Sequence, residues 1–285
     1  MRELTPETVT DAVLEQMATT ADPRMKEVVA AAVRHLHAFA REVNLTPGEW
    51  IKGIEFMTLV GKMCTPARQE FILLSDTLGL SALVNGLHDK TALEEGTHTS
   101  LLGPFYRESS PKLAAGGQIA NHVKPGTECI LYGRVTDIHG KPLAEATVSV
   151  WQTSADGLYL VRTVKPRGYS IPMDGPVGNM VRLQGRHGMR PAHIHFLVGS
   201  SGYRELVTAL YLRDDPHLDD DVVFGSSDDL AVDIVPNDPE CPIKGVPSIR
   251  FDLRLSREGE ADKTSGRVGS DPSAILKEKP AAAAS

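Results

Sequence analysis

The sequence predicts an α+β protein, in which a helical N-terminal domain is followed by an antiparallel β-sandwich. Helix-start signals recur through the first hundred residues, and glycines, prolines and short β-branched runs become frequent after about Gly96. The predicted domains are residues 1–100 for the helices and residues 101–255 for the sandwich. Residues 256–285 are rich in Glu, Lys, Ser and Ala, so we expect a disordered tail.

The predicted helix starts share one device, a capping side chain directly before a proline. They are Thr5-Pro6, Asp22-Pro23, Thr46-Pro47 and Thr65-Pro66. Thr46 and Glu49 together make a capping box, in which each side chain satisfies a backbone N–H that the helix leaves unpaired. Apolar residues between 25 and 43 follow the helical period and line one stripe, which must pack against something.

The second part of the chain contains short alternating runs that are separated by turn signals, a pattern typical of an antiparallel sandwich. The candidate strands are residues 129–136, 147–152, 193–198, 206–212, 231–235 and 248–255.

Composition excludes several classes of function. A formal net charge of −7 disfavours a nucleic-acid partner, which needs a concentrated basic face. The 3 cysteines contain no C-x-x-C pair, so neither a disulfide framework nor a thiolate zinc site is indicated. The sequence contains no basic and apolar leader and no stretch of the roughly 20 apolar residues that a membrane span needs. We therefore expect a cytoplasmic protein with a small-molecule partner.

The most informative stretch surrounds His193 and His195. In a strand, residues two apart project from the same face, so both imidazoles reach one point and supply half of a metal site. H-x-H pairs also occur as ordinary hydrogen-bonded histidines, and the neighbouring residues must decide. Here Arg190 adds a fixed positive charge, a turn-rich loop presents Tyr169, and a second tyrosine, Tyr159, follows a turn.

Two phenolates and two imidazoles would favour trivalent iron, because phenolate is a hard and strongly donating oxygen ligand. That set, in its sequence context, resembles the intradiol ring-cleavage dioxygenases. The motifs are Trp151-Gln152, Asp156-Gly157-Leu158-Tyr159, Thr163-Val164-Lys165-Pro166, residues 169–178 and residues 190–196. The helical first part and residues 101–106 look like the catechol and hydroxyquinol branch, so the resemblance spans nearly the whole chain.

The resemblance implies that Tyr159, Tyr169, His193 and His195 ligate iron(III), and that one tyrosinate leaves and accepts a proton when substrate binds. Tyr159 and Arg190 are the implied catalytic residues, and Arg190 steadies negative charge on the substrate. The implied reaction is cleavage by dioxygen between the two hydroxyl-bearing carbons, with a muconate-type product that forms maleylacetate when the substrate is hydroxyquinol.

The resemblance also implies a substrate pocket, in which Asp76 is the informative member. An acid in an otherwise apolar helix is costly to bury unless it forms a hydrogen bond, and a third substrate hydroxyl would serve. This favours hydroxyquinol over catechol, although Asp76 could equally cap or pair within the helical domain. The implied pocket residues are Leu73, Asp76, Leu102, Gly103, Pro104, Phe105, Ile171, Pro172, Arg190 and Val223.

The chain departs from the family pattern between Tyr159 and Tyr169, which are only ten positions apart. Family members carry a further hairpin there, with a second D-G-x-Y/F turn, and the motif around Tyr159 fits both copies of that turn. Losing strands removes residues that support the ligands, so the chain could also be a catalytically impaired β-sandwich binding protein. Tyr169, His193 and His195 are therefore stronger candidates than Tyr159.

The resemblance further implies a homodimer joined through the N-terminal helices, with a lipid bound between them in some members. The apolar stripe at residues 25–43 is compatible with that interface, and an ordinary helix contact within the chain explains it equally well. A rival site is cupin-like, with His193, His195 and a divalent metal but no tyrosinate.

Overall fold

The structure of the chain is a computed structural model that describes residues 4–66, 68–92, 96–101, 103, 114–120, 128–150 and 158–258. It divides into two compact units, Met1–Lys62 and Met63–Ser285. These compact units divide after Lys62, within the helical region. The boundary predicted at residue 100 between helices and sandwich stays a prediction.

Two helices of the first unit start at their predicted capping signals, while α1 starts at Val9, after the turn that follows Thr5-Pro6. The Asp22 carboxylate accepts the backbone N–H groups of Arg24 and Met25 at 2.8 and 3.1 Å. The Glu49 carboxylate accepts the N–H of Thr46 at 2.9 Å, and the Thr46 hydroxyl accepts the N–H of Glu49 at 3.3 Å, which confirms the capping box. The helices are α1 (Val9–Gln16), α2 (Pro23–Glu42) and α3 (Pro47–Met63).

The fourth predicted helix start, at Thr65-Pro66, is wrong. Thr65 and Arg68 exchange backbone hydrogen bonds of 2.7 and 3.1 Å, and this closed turn prevents the helical pattern from starting there. Helix α4 (Glu70–Thr77) begins only after the turn, and α5 (Leu80–Ala92) follows at once.

The rest of the second unit is a two-sheet sandwich with one helix on the connection between its strands. Its elements are β1 (Glu128–Asp137), β2 (Thr147–Val148), β3 (Leu158–Val164), β4 (Tyr169–Ser170), α6 (Pro176–Leu183), β5 (Met189–Arg190), β6 (His193–Gly199), β7 (Leu206–Leu212), β8 (Ala231–Val232), β9 (Ser248–Arg250) and β10 (Leu253–Leu255). One sheet has the order β10-β1-β3 with β9 also on β1, the other has the order β2-β6-β7-β8, and β4 pairs with β5. Buried apolar side chains from both larger sheets, including Leu131, Val161 and Val198, form one core between them.

The predicted α+β class is confirmed, but the sheets are mixed rather than strictly antiparallel. Strands β9 and β10 run parallel to β1, and β8 runs parallel to β7. The pairs β1–β3, β2–β6, β6–β7 and β4–β5 are antiparallel, as predicted for a sandwich.

The tail predicted from residue 256 stays a prediction, and the structure describes its first three residues. Ser256 accepts the N–H of Arg204 at 3.0 Å, and Glu258 donates its N–H to Gly202 at 3.1 Å, so residues 256–258 belong to the sandwich. Residues 259–285 lie outside the described residues.

A buried carboxylate joins α4 to α6. Glu70 is fully buried, and its side chain accepts the N–H of Val177 at 3.3 Å and a hydrogen bond from Arg68 at 3.0 Å. Arg68 also donates two hydrogen bonds, of 3.0 and 2.9 Å, to Asp174. The network fixes the start of α4 against the loop between β4 and α6, which carries two of the predicted pocket residues, Ile171 and Pro172.

Among the helices that the structure describes, none is long and apolar enough by itself to cross a membrane. Only the bent pair Glu70–Thr77 and Leu80–Leu87, which meet at 74°, passes a test of length and composition when taken together.

Candidate active site

His193 and His195 lie on one face of β6, as their spacing predicts. Their ring centroids are 4.7 Å apart and their planes are nearly perpendicular. Burial comes first among the causes that lower the pKa of His193 to about 4 and the pKa of His195 to about 3, and the cation of Arg190 acts in the same direction on both. Both rings are therefore neutral near pH 7, the state that a metal ligand requires.

The tautomer of His193 is fixed by the backbone. Its Nδ1 lies 2.6 Å from the carbonyl oxygen of Pro191, and because a carbonyl only accepts, Nδ1 carries the proton. Its Nε2 therefore presents a lone pair to the site, where Arg190 Nη1 donates to it at 3.2 Å. Metal-binding histidines are commonly oriented by such a bond from the second ring nitrogen.

Both nitrogens of the His195 imidazole are buried, and neither has a hydrogen-bond partner among the described residues. The Leu101 backbone acts to raise the pKa of this ring, but no hydrogen bond to it is completed. A Cβ atom at Gly103 would lie 3.0 Å from His195 Nε2, and Gly103 has a φ of +74°, so only glycine suits this contact. A buried and unpartnered imidazole is costly for a protein unless a ligand completes it.

Tyr169 comes to the histidines through the short pair of β4 and β5, in which Tyr169 stands opposite Arg190. Its ring centroid lies 5.4 Å from that of His193. The structure therefore brings together Tyr169, His193 and His195, three of the four predicted ligands.

Tyr159 lies elsewhere, inside the sandwich. Its hydroxyl donates to the carbonyl oxygen of Phe251 at 2.6 Å, and its ring packs edge-on against Phe196 with centroids 5.9 Å apart. Phe196 follows His195 in β6 and so projects from the opposite face of the strand. Burial raises the pKa of Tyr159 well above its ordinary value, which keeps the phenol protonated. The expectation that Tyr159 joins the ligands is therefore corrected: its side chain serves the core.

Arg190 is almost fully buried beside the histidines. Its Nε and Nη2 donate to the two carboxylate oxygens of Asp221, each at 3.1 Å, and Nη2 also donates to the Tyr211 hydroxyl at 3.2 Å. Burial acts to lower the pKa of Arg190, but the hydrogen bond to Asp221 and the nearby negative groups outweigh burial and the pKa is raised. The cation is permanent, and its Nη1 faces His193.

An apolar wall stands next to these groups. Ile171 and Val223 are buried in one cluster that Leu73 packs against, so three predicted pocket residues meet. Pro172 is exposed at the next position of the loop. The predicted residues Leu102, Pro104 and Phe105 lie outside the described residues.

Asp76 is buried at the end of α4, with 8% of its surface exposed. Burial raises its pKa, while a hydrogen bond from Ser81 and the charge of Arg190 act in the opposite direction. The charge of Asp221 acts to raise this pKa, so Asp76 lies within electrostatic range of both Arg190 and Asp221.

Sequence reasoning missed Asp221 and Tyr211. Tyr211 stands directly opposite His193 in the β6–β7 ladder, with ring centroids 5.5 Å apart, and its hydroxyl is 2.9 Å from that of Ser100. The alignment of the two predicted strands as a hairpin could have revealed Tyr211. Asp221 had no such signal, because it lies on a loop that only the fold brings back to Arg190.

A second group of possible ligand atoms lies at the surface, formed by His187, His217 and Asp220. His187 Nδ1 accepts the N–H of Met189 at 3.1 Å, so the proton of its neutral ring is on Nε2, which lies 3.0 Å from Asp220. The other oxygen of Asp220 lies 3.0 Å from His217 Nδ1. These contacts form a hydrogen-bonded clamp, in which His187 Nε2 has no lone pair for a metal.

The sandwich and its pocket define a class: a protein with two neutral histidines, a tyrosine and a buried arginine around one point. Comparison with known families agrees with this class. The family model "Catechol dioxygenase N terminus" matches residues 22–96, and the model "Dioxygenase" matches residues 101–161 and 152–257. The chain belongs to this family and is an intradiol aromatic ring-cleaving dioxygenase.

Individual relatives cover most of the chain. The 6-chlorohydroxyquinol 1,2-dioxygenase of Cupriavidus pinatubonensis is 42% identical over 82% of this chain and 93% of its own length. The hydroxyquinol 1,2-dioxygenase of Rhodococcus opacus is 40% identical over 81% of this chain and 85% of its own. The solved hydroxyquinol 1,2-dioxygenase of Pseudomonas putida DLL-E4 has a TM-score of 0.81 at 35% identity and covers 89% of this chain and 99% of its own.

The matched segments overlap at residues 152–161, which therefore match the family in two places. The overlap agrees with the two fits of the motif around Tyr159, and it indicates that the stretch that separates the two copies in relatives is absent from this chain. Of the described tyrosines, the rings that lie against His193 are those of Tyr169 and Tyr211.

Proposed function

We propose that this chain cleaves hydroxyquinol between its two adjacent hydroxyl-bearing carbons, with dioxygen, at an iron(III) ion held by Tyr169, His193 and His195. The observation that carries the proposal is the buried imidazole of His195, which has no hydrogen-bond partner among the described residues and lies next to a second neutral histidine. A phenolate with two neutral imidazoles suits a hard trivalent ion.

The chemistry that iron(III) supplies when bound is Lewis acidity and a one-electron redox capacity toward a deprotonated catechol-type ring. The protein residues do the rest. The Pro191 carbonyl holds the proton of His193 on Nδ1, so that Nε2 has the lone pair that would hold iron. Arg190 Nη1 donates to this lone pair in the structure and would be released toward the substrate when iron takes its place. Arg190 offers a permanent cation to the negative charge on the substrate oxygens. The wall of Leu73, Ile171 and Val223 holds the ring and excludes water.

The proposed product keeps both atoms of dioxygen. The bond between the two hydroxyl-bearing carbons breaks, each of these carbons becomes a carboxylate carbon, and a muconate-type dicarboxylate results. From hydroxyquinol this product is a hydroxymuconate, which tautomerises to maleylacetate. No further reductant is needed, because the ring supplies all the electrons that dioxygen takes up.

Asp76 supports hydroxyquinol as the substrate. Its carboxyl is buried within electrostatic range of Arg190, and a third hydroxyl of the ring would add a hydrogen bond to the one that Ser81 donates. Catechol remains the second candidate substrate, since solved catechol 1,2-dioxygenases share the fold, as that of Acinetobacter radioresistens does with a TM-score of 0.76 at 25% identity.

Asp76→Leu tests the choice of substrate, and catechol is the internal control because it lacks the third hydroxyl. We expect kcat/KM for hydroxyquinol to fall about tenfold to a hundredfold, the loss of one hydrogen bond to a charged group, while kcat/KM for catechol stays within about threefold. Dioxygen uptake and product absorbance measure both substrates. An equal loss for the two substrates would contradict a contact between Asp76 and the third hydroxyl.

A catalytically impaired family member that acts as a β-sandwich binding protein is the rival function, and one observation favours it: Tyr159 lies in the sandwich core rather than with the histidines. The cupin-like rival, a divalent metal on His193 and His195 without tyrosinate, has less support, since the Tyr169 ring lies against His193. Stoichiometric iron with a tyrosinate charge-transfer band would exclude both rivals.

We also propose a homodimer through the N-terminal helices, as in the family. The stripe on α2 is exposed on the single chain, for example at Met25, Leu36 and Phe39, and such a contiguous apolar face is typical of an interface. Phe39→Glu should convert the dimer to a monomer in analytical ultracentrifugation, and bound lipid would appear in native mass spectrometry.

A cytoplasmic location stays a prediction.

A further inference from the structure

Arg190 donates three hydrogen bonds that fix the orientation of its guanidinium group. The Asp221 carboxylate accepts hydrogen bonds from Nε and Nη2 at 3.1 Å each, and the Tyr211 hydroxyl accepts a second hydrogen bond from Nη2 at 3.2 Å. Only Nη1 is directed at the histidines, where it lies 3.2 Å from His193 Nε2. The planar guanidinium cannot turn about its axis without breaking the paired bonds to Asp221.

Asp221 also fixes the loop that carries part of the pocket wall. Its side chain is fully buried, and it accepts the backbone N–H groups of Val223 at 3.3 Å and Gly225 at 3.1 Å. A Cβ atom at Gly225 would lie 2.8 Å from the Tyr211 hydroxyl and 3.0 Å from Arg190 Nη2, so the loop packs directly on the arginine and its partners. One carboxylate thus sets the position of both the cation and the Val223 wall.

We propose that Asp221 is a positioning residue, which orients Arg190 so that Nη1 meets the charged oxygens of the substrate and which places Val223 against the ring. Tyr211 assists by holding Nη2 from the other side. The inference rests on the proposed function, since it concerns how Arg190 meets the substrate. An ion pair with only a structural role would change the stability of the fold but not the affinity for substrate.

The test is an anaerobic titration of the iron-loaded full chain with hydroxyquinol, followed by the shift of the visible band. Asp221→Asn keeps the shape of the side chain but removes its charge, and we expect the apparent Kd to rise about tenfold or more with unchanged iron content. Tyr211→Phe should raise the Kd about threefold, because Arg190 Nη2 loses one of its two acceptors while the paired bonds to Asp221 remain.

Asp220→Asn is the matched control, because Asp220 is the neighbouring acid but contacts His187 and His217 rather than Arg190. Its Kd should stay within about twofold of the wild type, because the Asp220 side chain is exposed and its hydrogen bonds among the described residues go to the two histidines rather than to Arg190 or the pocket wall. Thermal unfolding and iron content of each variant show whether the fold and the metal are kept.

A folded, iron-loaded Asp221→Asn protein with a Kd within about twofold of the wild type would overturn the proposal. If that variant does not fold, Tyr211→Phe decides: a Kd equal to that of the wild type overturns the proposal, and a raised Kd with the iron retained supports it. A wild-type protein without a visible band would instead refute the proposed function itself, which separates the two failures.

Discussion

At the scale of single residues, the composition of the site depends on which face of its strand each side chain occupies. The H-x-H spacing places His193 and His195 on one face because the period of a strand is two residues. No such rule places Tyr159, since the position of its side chain depends on which face of β3 is buried in the sandwich. In the structure Tyr159 pairs with Gly133 across the ladder and enters the core, where the Phe251 carbonyl satisfies its hydroxyl.

The metal-free protein should become more stable when His195 is replaced by leucine. The change removes two buried nitrogens that have no partner among the described residues, and the expected gain in the free energy of unfolding is about 1–3 kcal/mol. The same variant should lose its capacity to retain iron. Urea unfolding of chelator-treated protein measures the first effect, with His139→Leu on the exposed turn as the control; a loss of stability in His195→Leu would contradict an unsatisfied imidazole.

The lowered pKa of His195 predicts how the stability of the metal-free protein depends on pH. The pKa of His195 is lowered in the folded protein from 6.5 to about 3, so between these values the unfolded chain binds a proton that the folded chain does not. The stability of the metal-free protein should therefore fall as the pH drops from 6.5 toward 3, and His195→Leu should fall less steeply over this window. Equal slopes for the two proteins would contradict the lowered pKa.

The tyrosines can be separated by their spectra. Tyr169→Phe should remove the visible charge-transfer band of the iron-loaded protein, because the proposed phenolate ligand is lost. Tyr159→Phe should keep the band, because that phenol is buried and protonated inside the sandwich. Loss of the band in Tyr159→Phe with retention in Tyr169→Phe would reverse the assignment.

At the scale of elements, the sequence predicts those helix starts and strands that depend on residues close together in the chain. The caps of α2 and α3 depend on side chains within three residues, and strand β7 was predicted with its observed bounds. Strands β4 and β5 have only two residues each, too few to show a period. Strand β3 was not predicted, because Leu158 and Leu160 on its more exposed face are as apolar as the buried residues next to them, so the sequence shows no alternation there.

The buried link between α4 and α6 should be a point of weakness. Glu70→Gln leaves Arg68 with Asp174 alone and weakens the acceptor for the Val177 N–H, so the free energy of unfolding should fall by about 1–3 kcal/mol. Asp174→Asn is the control and should cost less, because the Asp174 side chain is 67% exposed. Chemical denaturation compares the two, and an equal loss would show that the burial of Glu70 is not what matters.

At the scale of the whole molecule, the family could be recognised from dispersed motifs because they occur in a fixed order along most of the chain. The α+β class followed from the helix-capping signals in the first part of the chain and the short β-branched runs in the second. The parallel pairs of β1 with β9 and β10 could not be predicted, because strands far apart in sequence give no local sign of their direction. The shortened segment before Tyr169 was visible in the sequence, but only the packing of Tyr159 showed its consequence for the site.

The visible spectrum of the iron-loaded protein, recorded with its iron content before and after anaerobic addition of hydroxyquinol, tests the central claim most directly. The account predicts stoichiometric iron and a broad tyrosinate band that Tyr169 supplies and that shifts when hydroxyquinol binds. A colourless protein, or one that holds no stoichiometric iron after iron loading, would contradict the account and show that the shortened chain has lost the chemistry of its family.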